Sequence, residues 1–383
     1  MARPAPVGAG AIDQAGEARS PAIESLRAVA ALAVLEGHVF GATRGYGPGA
    51  YASFFDRALL GGGFGVYLFF ALTGYLLCRP FARRDLAGGR PLRLGRYAAN
   101  RAVRILPLYY VVLIVYLVAF GHAGSPGMWW RYGLFVENLF PHLPPVDGPM
   151  WSLVVEVQFY ALLPLLALGL AKVARGSARR AAVAIALVGL GAALVRLTLV
   201  TLPHGPDPRW VYSLPGTFVF FTSGLLLAVV DTAWRGRRPA GLRGPLARAD
   251  LWLGLAAAIM LVVFWRYDLD ALVVPATFLA VGAVALPLEA GPVTRALRWR
   301  PLAFLGVCSY SLYLWHFPIV NQVVGSAWAP HGFWALLALL VPLCGAVAVA
   351  SYLSIERPFL RLRRNWGALA GRRDDPVAAA NAP

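Results

Sequence analysis

Ten apolar runs, each long enough to cross a bilayer as a helix, follow one another along this chain, at approximately residues 23–41, 62–80, 105–121, 152–172, 181–202, 213–231, 250–266, 271–288, 303–325 and 333–355. A helix rises about 1.5 Å per residue, so about 20 apolar residues match the hydrocarbon thickness of a membrane. Backbone N–H and C=O groups find no water at that depth, which leaves helices or closed barrels as the only spanning structures. The runs are too long for barrel strands, so the expected fold is all-α: a polytopic membrane bundle of about ten transmembrane helices. Composition agrees, with 59% of the 383 residues hydrophobic and 14% charged, where soluble domains carry about 25% charged residues.

The charge distribution tests this layout. Of 35 Lys and Arg residues, 28 fall before the first run, in every second loop and in the C-terminal tail, five fall in the other loops, and Arg27 and Arg196 lie within runs. Basic residues accumulate on the cytoplasmic side of membrane proteins, so both termini are expected in the cytoplasm. The same alternation explains the formal charge of +17 and argues against a nucleic-acid partner. Cys78, Cys308 and Cys344 all lie in apolar segments, which fits small core residues and implies no disulfide framework.

The first run is read as a retained anchor and not a cleaved signal peptide, since no small-residue cleavage site follows it cleanly. Residues 1–22 are expected to form a disordered cytoplasmic tail, residues 23–356 the transmembrane domain, and residues 357–383 a second cytoplasmic tail.

Polar groups inside the runs carry the chemistry. Arg27 and His38 are eleven residues apart in IESLRAVAALAVLEGHVF, close to three helical turns, so both lie on one helix face about 16 Å apart. Ionisable side chains inside a membrane are costly and usually mark a site. His38 is expected about 22 Å along its span, and His316 about 20 Å along the ninth. Glu156 is expected a turn and a half below the outer end of the fourth span, giving three ionisable groups at one depth in the outer half of the bilayer. The plainer alternative is that each histidine only packs at a helix crossing. At the other face, Arg101 and Arg104 share a side of the third span at its start. Guanidinium groups grip phosphates bidentately, although lipid head groups attract the same residues. The outward stretch from His122 to Met150, with Trp129, Trp130, Tyr132, Asn138 and His142, offers rings to a sugar or to the membrane interface.

The order of motifs resembles the acyltransferase 3 family of integral-membrane O-acyltransferases over essentially the whole chain. The family's Arg-x10-His opening stands here as Arg27 to His38, and its second-span signature is similar to GVYLFFALTGYLL from Gly65 to Leu77. Its Arg-x-x-Arg stands as Arg101 and Arg104, followed by Pro107. The fourth-span motif corresponds to Trp151, Ser152, Leu153, Glu156, Gln158, Phe159 and Tyr160. SYSLYLWHFPI, with Tyr313 and His316, and IERPF, with Glu356, complete the series. Some positions depart from the pattern. Glu24-Ser25 replaces Asp-Gly, Tyr67 stands where many members carry aspartate, Thr73 where serine is usual, and Val157 replaces a second glutamate. Some members add a C-terminal hydrolase-like domain. With 27 residues after Glu356, this chain is expected to be the stand-alone form.

The resemblance implies an acyl-CoA-dependent O-acyltransferase of a bacterial cell membrane, with acetyl-CoA the default co-substrate and no permanently bound cofactor or metal. Arg101 and Arg104 would meet the phosphates of the donor, and its pantetheine arm would rise between the helices. His38 would be the general base on an acceptor hydroxyl. Arg27 would stabilise the donor or the developing oxyanion, and Glu156 or His316 would orient His38 or bind the acceptor. Trp151, Ser152 and Tyr313 would support the acceptor or the structure. The acceptor would be a sugar of the cell envelope, a glycolipid or a secreted secondary metabolite. The competing reading from a different class is a proton-coupled exporter using His38, Glu156 and His316 as its relay. It lacks the internal symmetry and paired broken helices common in transporters.

Overall fold

The computed structural model describes residues 20–46, 52–89, 92–119, 126–140, 148–201 and 208–362. Most of the first tail expected at 1–22 and most of the second, with His142 and the rest of 141–147, lie outside the described residues, while Pro21 and Ala22 already belong to the first helix.

Helix α1 (Pro21–Arg44) begins with proline at its first position, where a missing N–H costs nothing, and carries Glu24 in its first turn. The short α2 (Phe54–Leu60) is closed by a Ser53/Asp56 capping box and leads through a 3-10 turn of glycines into α3 (Gly65–Ala87). Then follow α4 (Leu94–Ala119), the short α5 (Pro126–Gly133), α6 (Met150–Ala174) and α7 (Ala178–Val200). Two single turns, α8 (Pro208–Val211) and α9 (Leu214–Thr217), precede α10 (Val219–Trp234), α11 (Ala249–Trp265) and α12 (Val273–Ala285). The last group is α13 (Pro292–Ala296), α14 (Arg300–Val307), α15 (Ser309–Val324) and α16 (Phe333–Ser351), which ends in a π turn over Tyr352–Glu356. Among the described residues the architecture is all-α, with one isolated bridge between Arg248 and Glu289.

Each of the ten apolar runs corresponds to a helix, but not to ten equal spans. Among the described residues, seven helices are long and apolar enough to cross a membrane. Taken together, α14 and α15 are also long and apolar enough for one span, although the pair is bent by 71°, and α10 and α11 are shorter apolar helices of 16 and 17 residues. The bend sits at Cys308, the residue that ends α14 and precedes α15. This is a multi-pass membrane protein.

The most extensive helix contact is where α3 crosses α10. Gly74 and Gly224 face each other there: a Cβ on Gly74 would lie 2.6 Å from the Phe221 carbonyl, and one on Gly224 would lie 2.5 Å from the Tyr75 nitrogen. Small residues let membrane helices approach closely, and van der Waals contact replaces the missing hydrophobic drive. Around the crossing stand stacked rings, Phe70 on Phe221 at 4.4 Å and Phe159 on Phe221 at 4.1 Å. One end of the α3–α10 pair is tied by the half-buried ion pair of Arg79 with Asp231 at 2.6 Å, to which Tyr75 adds a hydrogen bond. Arg79 thus has a structural partner that its position in a basic loop did not reveal. At the other end Arg196 of α7, buried, pairs with Asp270 at 2.6 Å and donates to the carbonyls of Val211 and Gly216 and to the Tyr67 hydroxyl. Tyr67 stacks on Phe220 at 3.7 Å. In contrast, α7 exposes Leu187, Leu190, Leu194 and Leu197, a face suited to lipid. The three cysteines are buried and free.

The segment from α5 to Phe140 folds back against the bundle. Tyr109 and Tyr110 of α4 donate to the carbonyls of Tyr132 and Gly133, and the Gln158 amide of α6 donates to Phe135 and to Asn138. Tyr132 and Asn138 are therefore engaged in holding this segment. Glu137 within it has both carboxylate oxygens buried without a hydrogen-bond partner among the described residues, and burial pushes its carboxyl up to about 8. An acid whose folded value is raised binds its proton more tightly folded than unfolded. Stability therefore falls as pH rises from about 4.5, the unfolded value, to about 8, and is lower above that. Glu137→Gln is expected to remove this decline. Thermal unfolding in detergent between pH 5 and pH 9 reads it: a wild-type midpoint that stays flat over that range contradicts the assignment.

Candidate functional site

The site forms where α1, α3, α6 and α15 meet. Arg27 and His38 project from the same side of α1, as their eleven-residue spacing requires. Helix α15 brings its motif against them. His316 is 1% exposed, and its Nε2 lies 3.3 Å from His38 Nδ1, the two rings 5.0 Å apart and tilted. Phe317 packs edge-on against His38 at 5.2 Å. Gly148, just before α6, lies against the far side of the Phe317 ring, where a Cβ would come within 2.9 Å.

The hydrogen bonds of the pair assign its tautomers. His316 Nδ1 lies 2.6 Å from the Tyr313 carbonyl, a partner that only accepts, so that nitrogen carries the proton and Nε2 is left as an acceptor. His38 Nδ1 lies 2.8 Å from the Val34 carbonyl as well as facing His316 Nε2. Both neighbours accept, so Nδ1 is protonated and the lone pair of His38 stands on Nε2.

Below the histidines lies a cavity of about 50 Å³, lined by Arg27, Thr73, Ser152, Glu156, Ser309, Tyr310 and Tyr313 together with Val66, Phe69, Phe70, Leu72 and Leu153. The Tyr313 ring forms its roof, 5.6 Å from the His316 ring. The Tyr313 hydroxyl donates to the Pro149 carbonyl at 3.0 Å and lies 2.6 Å from Ser152 Oγ. Arg27 Nε donates to Ser309 Oγ at 3.2 Å and faces Glu24 at 3.5 Å, one turn along its own helix.

Glu156 stands apart from His38. Its Oε1 accepts from Thr73 at 2.6 Å and from Tyr160 at 2.7 Å, on the cavity wall. The reason lies at the start of α6. Pro149 and Gly148 already meet Tyr313 and Phe317, so the helix begins at the level of the histidine pair and Glu156 falls about 9 Å further along it. The three groups expected at one depth are thus two histidines together and one carboxylate below them. Trp151 also turns away from the histidines, its ring against Phe70 at 6.1 Å and Tyr212 at 4.7 Å.

Beyond Glu156 the polar groups continue. Arg101 lies over the Tyr160 ring at 5.8 Å, and Arg104 faces Glu356 at 3.9 Å. A column of polar side chains therefore runs from the two arginines at one end of the bundle, through Tyr160, Glu156 and the cavity, to Tyr313 and the histidine pair. Sequence reasoning did not single out Thr73, Ser309 and Tyr310 as lining residues. They are short or aromatic hydroxyls in apolar runs, and only helix packing shows which of these meet. Among the described residues no group of three or more His, Cys, Asp or Glu side chains is placed to hold a metal ion.

A family profile described as "Acyltransferase domain" matches residues 20–355. The chain is 28% identical to YrhL of Bacillus subtilis over 88% of its own length and 54% of that protein. It is 27% identical to the peptidoglycan O-acetyltransferase OatA of Listeria monocytogenes, over 79% of this chain and 49% of the other. It is 29% identical to BcsY of Komagataeibacter xylinus, over 79% of this chain and 78% of that one. The chain spans about half the length of the first two. No solved structure matches it.

Proposed function

The chain belongs to the Acyltransferase domain family, and from that premise we propose that it is a membrane O-acyltransferase moving an acyl group, acetyl by default, from cytoplasmic acyl-CoA to a carbohydrate hydroxyl of the cell envelope. The observation that carries the reading is the histidine pair, which leaves His38 Nε2 as a free base at the end of the polar column. Relatives named for O-acetyl transfer to peptidoglycan support the acceptor class, and the positive-inside bias supports a cytoplasmic donor.

The donor's phosphates meet Arg101 and Arg104, and its pantetheine arm lies along the cavity, where Glu156, Thr73, Ser152 and Ser309 offer partners to its amide groups. The cavity is narrow and roofed, so the arm enters by moving Tyr313. His38 Nε2 takes the proton of the acceptor hydroxyl while that oxygen attacks the thioester carbonyl. The C–S bond breaks, the sulfur leaves as thiolate, and the proton returns from His38 to it. The imidazolium formed in between is held by His316 Nε2 through Nδ1–H. Arg27, about 16 Å from His38 along α1, is too deep to touch an oxyanion at His38 and acts on the donor arm.

His316 acts through His38, so His316→Ala is expected to lower kcat about 10- to 100-fold with little change in the KM for acyl-CoA. A kcat within twofold of wild type removes His316 from the mechanism. The reading as a whole is tested with membranes holding the protein, labelled acetyl-CoA and an extract of host glycans, lipids and metabolites. Thiol release together with a labelled carbohydrate supports it. If neither appears with acetyl or longer donors, the reading is wrong.

A further inference from the structure

The last motif of the chain, IERPF, has no part in the chemistry above, yet it contributes a carboxylate that is 3% exposed in an apolar bundle. Glu356 is brought inward by the π turn that ends α16. A π turn places residues i and i+5 on one face, so Ser351 and Glu356 both look toward α15. Continued as an α-helix, the chain would present Ile355 there and rotate Glu356 about 140° away. Such turns are uncommon and frequently occur at functional sites.

What the carboxylate meets is specific. Oε1 accepts from Ser311 Oγ at 2.5 Å, Ser311 Oγ lies 3.4 Å from Ser351 Oγ, and Ser351 Oγ accepts from the Trp315 indole at 3.1 Å. This chain of buried groups fixes the carboxylate from behind, and α4 is tied to α15 beside it by Tyr310 donating to the Ile105 carbonyl at 2.9 Å. Oε2 faces Arg104 Nη1 across 3.9 Å. That separation is close enough for charge attraction and too long for a hydrogen bond. Both atoms are buried, and neither has a hydrogen-bond partner among the described residues. A buried guanidinium N–H left without an acceptor is costly, and here it is held in place by a charge that does not use it.

We infer that Glu356 is a positioning residue of the donor site, holding the Arg104 guanidinium by charge while leaving its Nη1–H for a phosphate oxygen of acyl-CoA. The inference rests on the acyl-CoA reading above. The neutral background of Arg104 beside Glu356 also separates the two arginines by role: Arg101, over the Tyr160 ring, continues the column inward, and Arg104 is the one aimed by a dedicated carboxylate.

The experiment uses the full chain in nanodiscs, with binding of coenzyme A itself and acetyl-CoA consumption measured side by side. Glu356→Gln keeps an acceptor for Ser311 and removes the charge, whereas Glu356→Asp keeps the charge. Glu356→Gln is expected to weaken coenzyme A binding and raise the acetyl-CoA KM about tenfold, with kcat within about twofold, and Glu356→Asp to recover most of that loss. A purely structural carboxylate would lower the thermal midpoint and the yield of folded protein but leave the KM of the folded fraction unchanged. That result, or a Glu356→Asp variant as impaired as Glu356→Gln, overturns the inference while wild type still binds and consumes the donor. If wild type neither binds coenzyme A nor consumes acetyl-CoA, the donor reading itself fails and the inference falls with it.

Discussion

His38→Ala is expected to lose at least about 1,000-fold in acyl transfer while folding normally. A positioned general base contributes about 10²- to 10⁴-fold, and no other described side chain is placed to substitute. His316 is nearest, but its Nδ1 is engaged with the Tyr313 carbonyl and its Nε2 faces His38. Glu156 lies about 9 Å deeper and is already bonded to Thr73 and Tyr160. The fold should survive, because His38 is only partly buried and contacts its neighbours only through the His316 and Phe317 rings and one backbone carbonyl among the described residues. His38→Gln, which keeps a polar group but cannot take the proton, should be as inactive as alanine. Label transfer from acetyl-CoA at matched protein levels, with elution profile as the folding control, measures this. More than about a tenth of wild-type activity in either variant shows that the base is another group.

Gly224→Val is expected to abolish assembly of the bundle. At the α3–α10 crossing a Cβ on Gly224 already lies 2.5 Å from the Tyr75 nitrogen and nearer still to the Ala71 carbonyl, and valine adds two methyl groups. The obstacles are backbone atoms of α3, so no rotamer relieves them and the helices must separate. Overpacking alone typically costs 1–3 kcal/mol, and here separation also loosens the stacks of Phe70 and Phe159 on Phe221 and strains the half-buried Arg79–Asp231 pair. Leaving the buried Asp231 carboxylate without that partner costs about 1–3 kcal/mol or more. The sum approaches the whole stability of a typical domain. The measurement is the fraction of monodisperse protein after detergent extraction. A variant that elutes and unfolds like wild type would show that the crossing yields to a larger residue.

Much of this was legible in the residues. Length and hydropathy are local properties, so each apolar run became a helix, and the spacing of Arg27 and His38 put them on one side of α1. The bend of 71° between α14 and α15 was not legible. Cys308 carries no sequence mark of a break, and the run from 303 to 325 reads as continuous. Depth was legible only as far as helix ends were. Glu156 was misplaced by about a turn and a half because Gly148 and Pro149, just before α6, already meet Phe317 and Tyr313, contacts between residues more than 150 apart. Partnership was the least legible. Arg79 and Arg196 look like ordinary loop and span arginines until Asp231 and Asp270 face them, and Glu356 turns inward only through a π turn.

The most direct test of the central claim is a sided reconstitution. Proteoliposomes are prepared with acetyl-CoA confined to the face bearing Arg101 and Arg104 and a membrane-impermeant glycan acceptor confined to the other. The account predicts free coenzyme A on the first side and acetylated glycan on the second, both absent with His38→Ala. Solute movement without thioester loss, or acetylation only when donor and acceptor share a side, would contradict it.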